Sequence, residues 1–327
     1  MNHIFSTKSP IIIKKLILLD GYPRTGKYFV GKLIAGLKGI EVFQSISVIE
    51  QLSFMHRMGG IKEDAAICLI RSVLGEFAYN MVIGRYLNQR YDDASSIYNS
   101  YKFDEYLKRS LNSDRNELLK NYYKEGRSSL FLTHEALPNV QIFFKSYPDL
   151  KMINLIRHPV DVIHSWYLRG WGRRFGTDPV AASPVLNGPD GPVPWFAYGW
   201  KEEYYSISET DRVIKSIYTL TEKCKETYNS LLQAQKDQIL FVRYENVLEK
   251  TDEVIQSIYS FLDTEPSDYM AQIKARERCP CTLPPGDREA KTNAIKEKAT
   301  IRYFNLMLNM VEEYEDKENI YKLDVNE

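Results

Sequence analysis

Cysteine is scarce in this chain. The four that occur, Cys68, Cys224, Cys279 and Cys281, are scattered along 327 residues. They are too few for a disulfide framework, which suits a reducing cytoplasm. Cys279 and Cys281 form a Cys-Pro-Cys with no second pair of ligands nearby, so a plain loop is the simpler reading and no metal centre is expected. Long apolar runs are lacking too. No stretch reaches the roughly 18 uninterrupted apolar residues of a membrane span. The apolar start is split by Lys14 and Lys15 and runs straight into a Gly-rich loop, so it reads as a first strand and not as a signal peptide. Nor does one sign of charge prevail: Lys+Arg and Asp+Glu number 43 each. Without a net field, nucleic acid and acidic membranes are not expected partners, and any anion site must be a local cluster. There is no internal repeat.

What is present fits a folded α/β chain. The composition is 44% apolar, enough to bury a sizeable core as one large domain or two modest ones. Four short β-rich runs stand out: IIIKKLILLD (11–20), SSLFLT (128–133), KMINLI (151–156) and QILFVRY (238–244). Helical patterns separate them, at 25–37, 61–88, 102–123, after Pro159, and at 211–235, 246–263 and 293–315. Strands alternating with helices predict a central, mostly parallel sheet with helices on both faces. Residues 170–199 are Gly- and Pro-rich and have no period, and all four tryptophans lie in or beside them. Long irregular segments of this kind are commonly lids or binding loops. The acidic stretch EEYEDKEN (312–319) reads as a solvated end.

The first run leads into DGYPRTGKYF (20–29), which contains Gly-x-x-x-x-Gly-Lys from Gly21 to Lys27. A Gly-rich turn between a strand and a helix aims backbone N–H groups and the helix dipole at one point, and a cation adds a full charge. A tight turn without ligand would share the same residues. In nucleoside-triphosphate enzymes the residue after the Lys carries a hydroxyl that ligates Mg²⁺; here it is Tyr28, which cannot do so from the same short reach. Asp20 ends the first strand, the wrong one for a second metal anchor. The loop therefore suits a phosphate group held without a metal.

The third run continues as INLIRHPVDVIHSWY, placing Arg157 at a strand end and Ser165 two turns into the next helix. With PRTGK (23–27), this Arg-x₇-Ser and the later FVRYENVLEKTDEVIQSIYSFLD, the chain resembles the sulfotransferase superfamily that uses 3′-phosphoadenosine-5′-phosphosulfate. The three motifs cover roughly residues 12–265. The resemblance implies a single P-loop-type domain over 1–327, with a core at about 11–265 and a C-terminal loop and helix (266–327) completing the donor site. It implies that Arg24 binds the 5′-phosphosulfate, with Thr25, Gly26, Lys27 and Tyr28 supplying N–H groups. Phe29 stands where the family often stacks an aromatic on adenine. Arg157 and Ser165 would grip the 3′-phosphate. The family usually has Thr where Lys27 and Tyr28 stand, so Lys27 shares or replaces the role of Arg24. The family's late basic loop has no clear match; KARERCPCTLPPGDREAK (274–291) is the candidate, with Arg276, Arg278, Arg288 and Lys291. Taken alone, Arg157 could equally form a surface ion pair with Asp161.

Sulfuryl transfer needs a group that accepts the proton of the attacking hydroxyl or amine. Thr133–His134 match the family's Thr-His after the second strand, which implies His134 as the base. Where the family has a Lys before that Thr, this chain has Leu132, and Lys27 is the cation at hand. Carbohydrate-acting branches use a Glu, so Glu135 is the alternative base. A hydrogen-bonded structural histidine would also fit the position. The expected function is transfer of a sulfuryl group to a hydroxyl or amine of a small-molecule or carbohydrate acceptor, without a metal, and a homodimer is compatible with the sequence. A metal-dependent nucleotide or small-molecule kinase is the alternative enzyme, and a non-catalytic nucleotide-binding module the alternative of another class.

Overall fold

In the computed structural model, residues 4–7, 10–181 and 183–316 are described. Five parallel strands form one sheet: β1 (Leu16–Asp20), β2 (Gln44–Ser45), β3 (Ser129–Leu132), β4 (Lys151–Ile156) and, after a separate antiparallel pair β5 (Val185–Gly188) and β6 (Gly191–Pro194), β7 (Ile239–Arg243). The order across the sheet is β2-β3-β1-β4-β7. The expected mixed α/β architecture with a parallel sheet covered on both faces is what the chain adopts.

The two faces follow from the period-2 alternation of strands. Leu16 and Leu18 of β1 join Phe131, Met152, Ile239 and Phe241 in one core layer. Ile17 and Leu19 join Leu130, Leu132, Ile153 and Leu155 in the other. The first layer is closed by the helices Glu63–Val82 and Val140–Ser146, through Ile70, Leu74 and Phe143. The second is closed by Lys27–Ala35, Thr251–Leu262 and Met270–Arg276, through Val30, Leu33, Ile258 and Ile273. Every residue of β1 is buried, and the four before Asp20 form a continuous apolar run, as suits a central parallel strand. Each such Leu or Ile stabilises the fold by about 1.5–3 kcal/mol. Helix Glu63–Val82 is long and apolar enough by composition to cross a membrane, and half of that window is buried. A third core gathers Trp166, Trp195 and Phe196 between the helices Pro159–Leu168, Glu209–Ser230 and Ile301–Glu315.

Several boundaries differ from the sequence reading, each for a local reason. The strand expected at 11–20 begins only at Leu16, after the two lysines. The helix expected at 102–123 is two, Phe103–Leu111 and Arg115–Lys124, because Asp114 caps the second: its Oδ1 accepts the Glu117 N–H at 2.9 Å. The aperiodic 170–199 segment holds the β5–β6 hairpin and two short helical turns, Trp171–Arg174 and Trp195–Trp200. The 274–291 loop is bounded by helices Met270–Arg276 and Asp287–Lys296. Helix Ile301–Glu315 runs into the acidic stretch at 312–319, of which 317–319 lie outside the described residues.

The strands β3, β1, β4 and β7 present their carboxyl ends along one edge. From β1 the chain passes to β2 and β3 on one side and then crosses to β4 on the other, and in open parallel sheets such a switch point opens a crevice. One buried carboxylate ties this edge together. Asp20, 1% exposed, accepts the Thr133 hydroxyl at 2.8 Å, the N–H groups of Ala136 and Leu137 at 3.0 and 2.8 Å, and the Asn154 amide at 3.2 Å. Asp20→Ala should leave four buried donors without an acceptor and lower unfolding free energy by about 3–5 kcal/mol, with Asp20→Asn intermediate. Denaturant titration measures it; a loss within about 0.5 kcal/mol would show that Asp20 does not hold the edge.

Candidate active site

The loop after β1 is shaped by two close approaches. Gly21 (φ +134°) has the Leu155 carbonyl where a Cβ would lie, 2.3 Å away. Gly26 (φ +96°) caps the helix Lys27–Ala35 and lies against the Tyr244 ring, 2.2 Å from an added Cβ. Neither position admits a side chain. The loop thus delivers the N-terminus of a helix, with its open N–H groups and partial positive charge, into the crevice. Arg24 adopts a left-handed φ of 76°, a strained conformation for a side-chain-bearing residue.

Arg24, Arg157 and Ser165 come together although their elements are far apart in sequence. Arg24 Nε donates to Ser165 Oγ at 3.2 Å, and Arg157 Nη1 donates to the Arg24 carbonyl at 3.0 Å. Partial burial, then the charges of Arg169 and Arg157, hold the Arg24 pKa below its ordinary value. Arg157 lies 4.6 Å from the centroid of the Tyr244 ring, and its Nε is buried without a partner. Asp161 is not the partner of Arg157 by hydrogen bond: it takes Lys291 at 2.7 Å and Arg288 at 3.2 Å. Phe29 packs edge-on to Tyr244, centroids 6.1 Å apart, while Tyr28 turns onto Phe43, at 5.7 Å. Thr25 donates its hydroxyl back to the Tyr22 carbonyl at 2.9 Å.

The structure does not bring Arg276 to the loop. It lies by the C-terminal half of the helix Lys27–Ala35, beside Lys32 and Gly36, with its guanidinium on the Asn99 carbonyl and Oδ1 at 3.0 and 2.7 Å. Arg278 follows Glu277, which pairs with Lys32 at 2.7 Å. Arg288 and Lys291, at the other end of the 274–291 segment, reach the helix that carries Ser165 through Asp161.

Behind the loop, Lys27 is buried and donates to the carbonyls of Gly21 and, at 2.8 Å, Tyr22. Burial lowers its pKa to about 8 against the pull of Asp20, Glu50 and Glu135. Beyond it opens a cleft of about 310 Å³, lined among others by Glu50, His134, Glu135, Asn139, Trp171 and Trp195. His134 and Glu135 follow β3 directly. The His134 N–H donates to Glu50 Oε1 at 2.7 Å, and its Nδ1 lies 3.6 Å from the same oxygen. Burial, then Lys27, holds the His134 pKa well below the usual imidazole value, so the ring is neutral near neutral pH. Glu135, in a left-handed φ of 64°, accepts the Trp195 indole N–H on Oε2 at 2.8 Å, and its Oε1 is buried without a partner. Burial raises the Glu135 pKa to about 7, with the Trp195 bond opposing, and lifts Glu50 well above the ordinary carboxyl range.

Three contributors escape sequence reading: Tyr244, Glu50 and the tie between Trp195 and Glu135. Of these, only Tyr244 carried a signal, since it ends the β-rich run QILFVRY (238–244). His158 does start the helix after Pro159, its Nδ1 accepting the Val160 N–H at 3.3 Å.

The family model described as sulfotransferase domain matches residues 14–278, and the chain belongs to that family. No curated protein sequence matches it significantly. Among solved structures, it is similar to a sulfotransferase domain from the Synechococcus PCC 7002 olefin synthase, at 12% identity, TM-score 0.47, covering 95% of this chain and 98% of that one. A sulfotransferase domain from the curacin biosynthetic pathway matches at 12% identity, TM-score 0.45, covering 92% and 97%. A mouse sulfotransferase complexed with PAP matches at 15% identity, TM-score 0.38, covering 90% and 82%.

The raised Glu135 pKa has a consequence for stability. The folded state holds this proton up to about pH 7, against an ordinary value of 4.5. Its contribution is therefore fully present below pH 4.5 and is lost as pH rises through about 7. Glu135→Gln should remove that dependence. The wild-type advantage over the variant should fall across this window by on the order of 3 kcal/mol, read from urea unfolding at several pH values. Parallel curves for the two proteins would contradict a proton held at Glu135.

Proposed function

We propose that this sulfotransferase takes its sulfuryl group from 3′-phosphoadenosine-5′-phosphosulfate and transfers it to a hydroxyl or amine of a small acceptor bound in the cleft. The observation that carries the reading is the gathering of Arg24, Arg157 and the Ser165 hydroxyl at the N-terminus of the loop helix. Two guanidinium groups are held together there with Arg169 nearby, and an anion would relieve the crowding of like charge. A donor with phosphate at both ends of its ribose would meet Arg24 and the loop N–H groups at its 5′ side and Arg157 and Ser165 at its 3′ side. Phe29 and Tyr244 supply aromatic faces beside these groups for the purine. Arg288 and Lys291, rather than Arg276, are the late basic residues whose position suits the 3′ side. Tyr28, turned onto Phe43, leaves the position after Lys27 without a hydroxyl aimed at the loop.

In this reading the acceptor oxygen or nitrogen attacks sulfur in line. As the new bond to sulfur forms, the bond between sulfur and the bridging oxygen breaks, and the electron pair leaves with the nucleotide phosphate. The open N–H groups of the helix N-terminus and Arg24 stabilise the charge that gathers there, while Lys27, expected from the sequence to do so, is held behind the loop on the Gly21 and Tyr22 carbonyls. The proton lost by the acceptor goes to His134. Nδ1 of His134 lies 3.6 Å from Glu50 Oε1, and in this reading Nε2 takes the proton. Glu135 is less suited to be the base by geometry, since its Oε2 is engaged by the Trp195 indole.

The donor assignment is tested by melting curves. The desulfated nucleotide, 3′-phosphoadenosine-5′-phosphate, should stabilise the protein in EDTA, by roughly 2.7 kcal/mol at about 100 times its Kd. Arg157→Ala and Ser165→Ala should each weaken that nucleotide about tenfold to a hundredfold, while a nucleotide lacking the 3′-phosphate is barely affected. A shift confined to ATP with Mg²⁺ would favour a kinase instead.

His134→Ala should lower turnover of labelled donor by about 10²–10⁴ against a mixed pool of phenols, alcohols and amines, with nucleotide affinity unchanged. If Glu135→Gln is inactive and His134→Ala active, the proton goes to Glu135.

A further inference from the structure

The acceptor side of the site has a charge composition that sulfuryl transfer does not itself require. The ionisable side chains lining the cleft among the described residues are Glu50, Glu135 and His134; no Lys or Arg lines it. Lys27 lies behind, donating to loop carbonyls. Asp20, packed against this cluster, has both oxygens occupied by donors from the strand ends. Arg57 stands behind Asn139, on the Pro138 carbonyl at 2.7 Å and on Asn139 Oδ1 at 3.5 Å. The lining itself therefore presents two carboxyl groups and no cation.

An anionic group brought into this cleft would meet two carboxyls and no lining cation, and its desolvation would go uncompensated. A cationic group would meet the opposite. Glu135 is 6% exposed, and its Oε1 is a buried acceptor with no donor. Glu50 has Oε1 on His134. Trp171 and Trp195 add aromatic faces, which favour cations over anions. We infer that the acceptor is a small cationic molecule, an amine-bearing alcohol or phenol, whose ammonium group is met by Glu135 and Glu50 while its hydroxyl faces His134. The inference rests on the cleft being the acceptor site. Sulfated and carboxylated acceptors are selected against by the same two side chains. Burial and Asp20 keep both carboxyls protonated to higher pH than usual, and Lys27 opposes. Binding a cation near neutral pH should therefore release protons.

Three phenols of matched size isolate the charge: tyramine, its neutral analogue 4-hydroxyphenylethanol, and the anion 4-hydroxyphenylacetate. Each is titrated calorimetrically into the protein saturated with 3′-phosphoadenosine-5′-phosphate, in two buffers of different ionisation enthalpy. Tyramine should bind about tenfold to a hundredfold tighter than the neutral phenol, the anion more weakly than either, and only tyramine should release protons. Glu135→Gln and Glu50→Gln should each reduce the ratio of tyramine to neutral-phenol affinity. Equal or tighter binding of the anion would overturn the inference, as would a ratio unchanged in both variants or no binding by any of the three at millimolar concentration. Nucleotide binding is read separately in the same samples. Its failure would refute the donor assignment and leave the cation preference standing or falling on its own.

Discussion

The Asp20 carboxylate is the constraint on which the rest of this site depends. It sits at the end of the central strand and receives donors from the segment after β3 and from β4. Register makes this possible: Asp20 is level with Asn154, and Leu19 with Leu132, so Thr133 falls beside it. A buried carboxylate with this many hydrogen-bond partners is tolerated where an isolated one would not be. Its effect is to fix three chain reversals relative to one another. The loop before Lys27 and the segment carrying His134 and Glu135 leave from strand ends that it joins. Arg157 leaves the β4 end, only a few residues beyond Asn154.

The neutral chain achieves a polarised site by separating its charges in space. Arg24 and Arg157 gather on the side of β4 and β7, against Tyr244. Glu50 and Glu135 gather on the side of β3, in the cleft. Lys27 stands between them, its pKa drawn down by burial. The two halves thus have opposite electrostatic preferences across one strand. A donor rich in phosphate and an acceptor without negative charge would each be steered to its own half by the same gradient that excludes it from the other.

The parts of this arrangement that were legible in the sequence are those encoded locally. β1 is an apolar run closed by Gly21 and Gly26, and the spacing from Arg157 to Ser165 needs only one strand end and one helix. Both could be read because strand and helix periods are properties of a short window. Tyr244 takes its place because β7 lies beside β4 in the sheet, and strand order is not written in any window. Glu50 comes from the helix Val48–Arg57, outside the sheet, and meets His134 only after the chain has crossed back. The placement of the late basic residues failed to emerge for the same reason. Arg276 and Arg288 have similar sequence surroundings, yet one is tied to Asn99 and the other to Asp161. The hairpin at 185–194 was obscured by its own composition, since Pro189, Pro192 and Pro194 and two glycines interrupt any alternation.

The contact between Gly26 and Tyr244 binds two distant parts of the chain to a common history. The ring occupies the volume that a side chain at position 26 would need, and the same ring supports Phe29 and Arg157. A descendant of this chain could enlarge position 26 only after trimming position 244, and trimming it would first unseat an arginine and a phenylalanine. A side chain at position 26 would in addition be strained at a φ of +96°, whatever the space around it. Drift should therefore preserve the pair as a unit while the surrounding helices diverge, and the loop and the last strand should be inherited together.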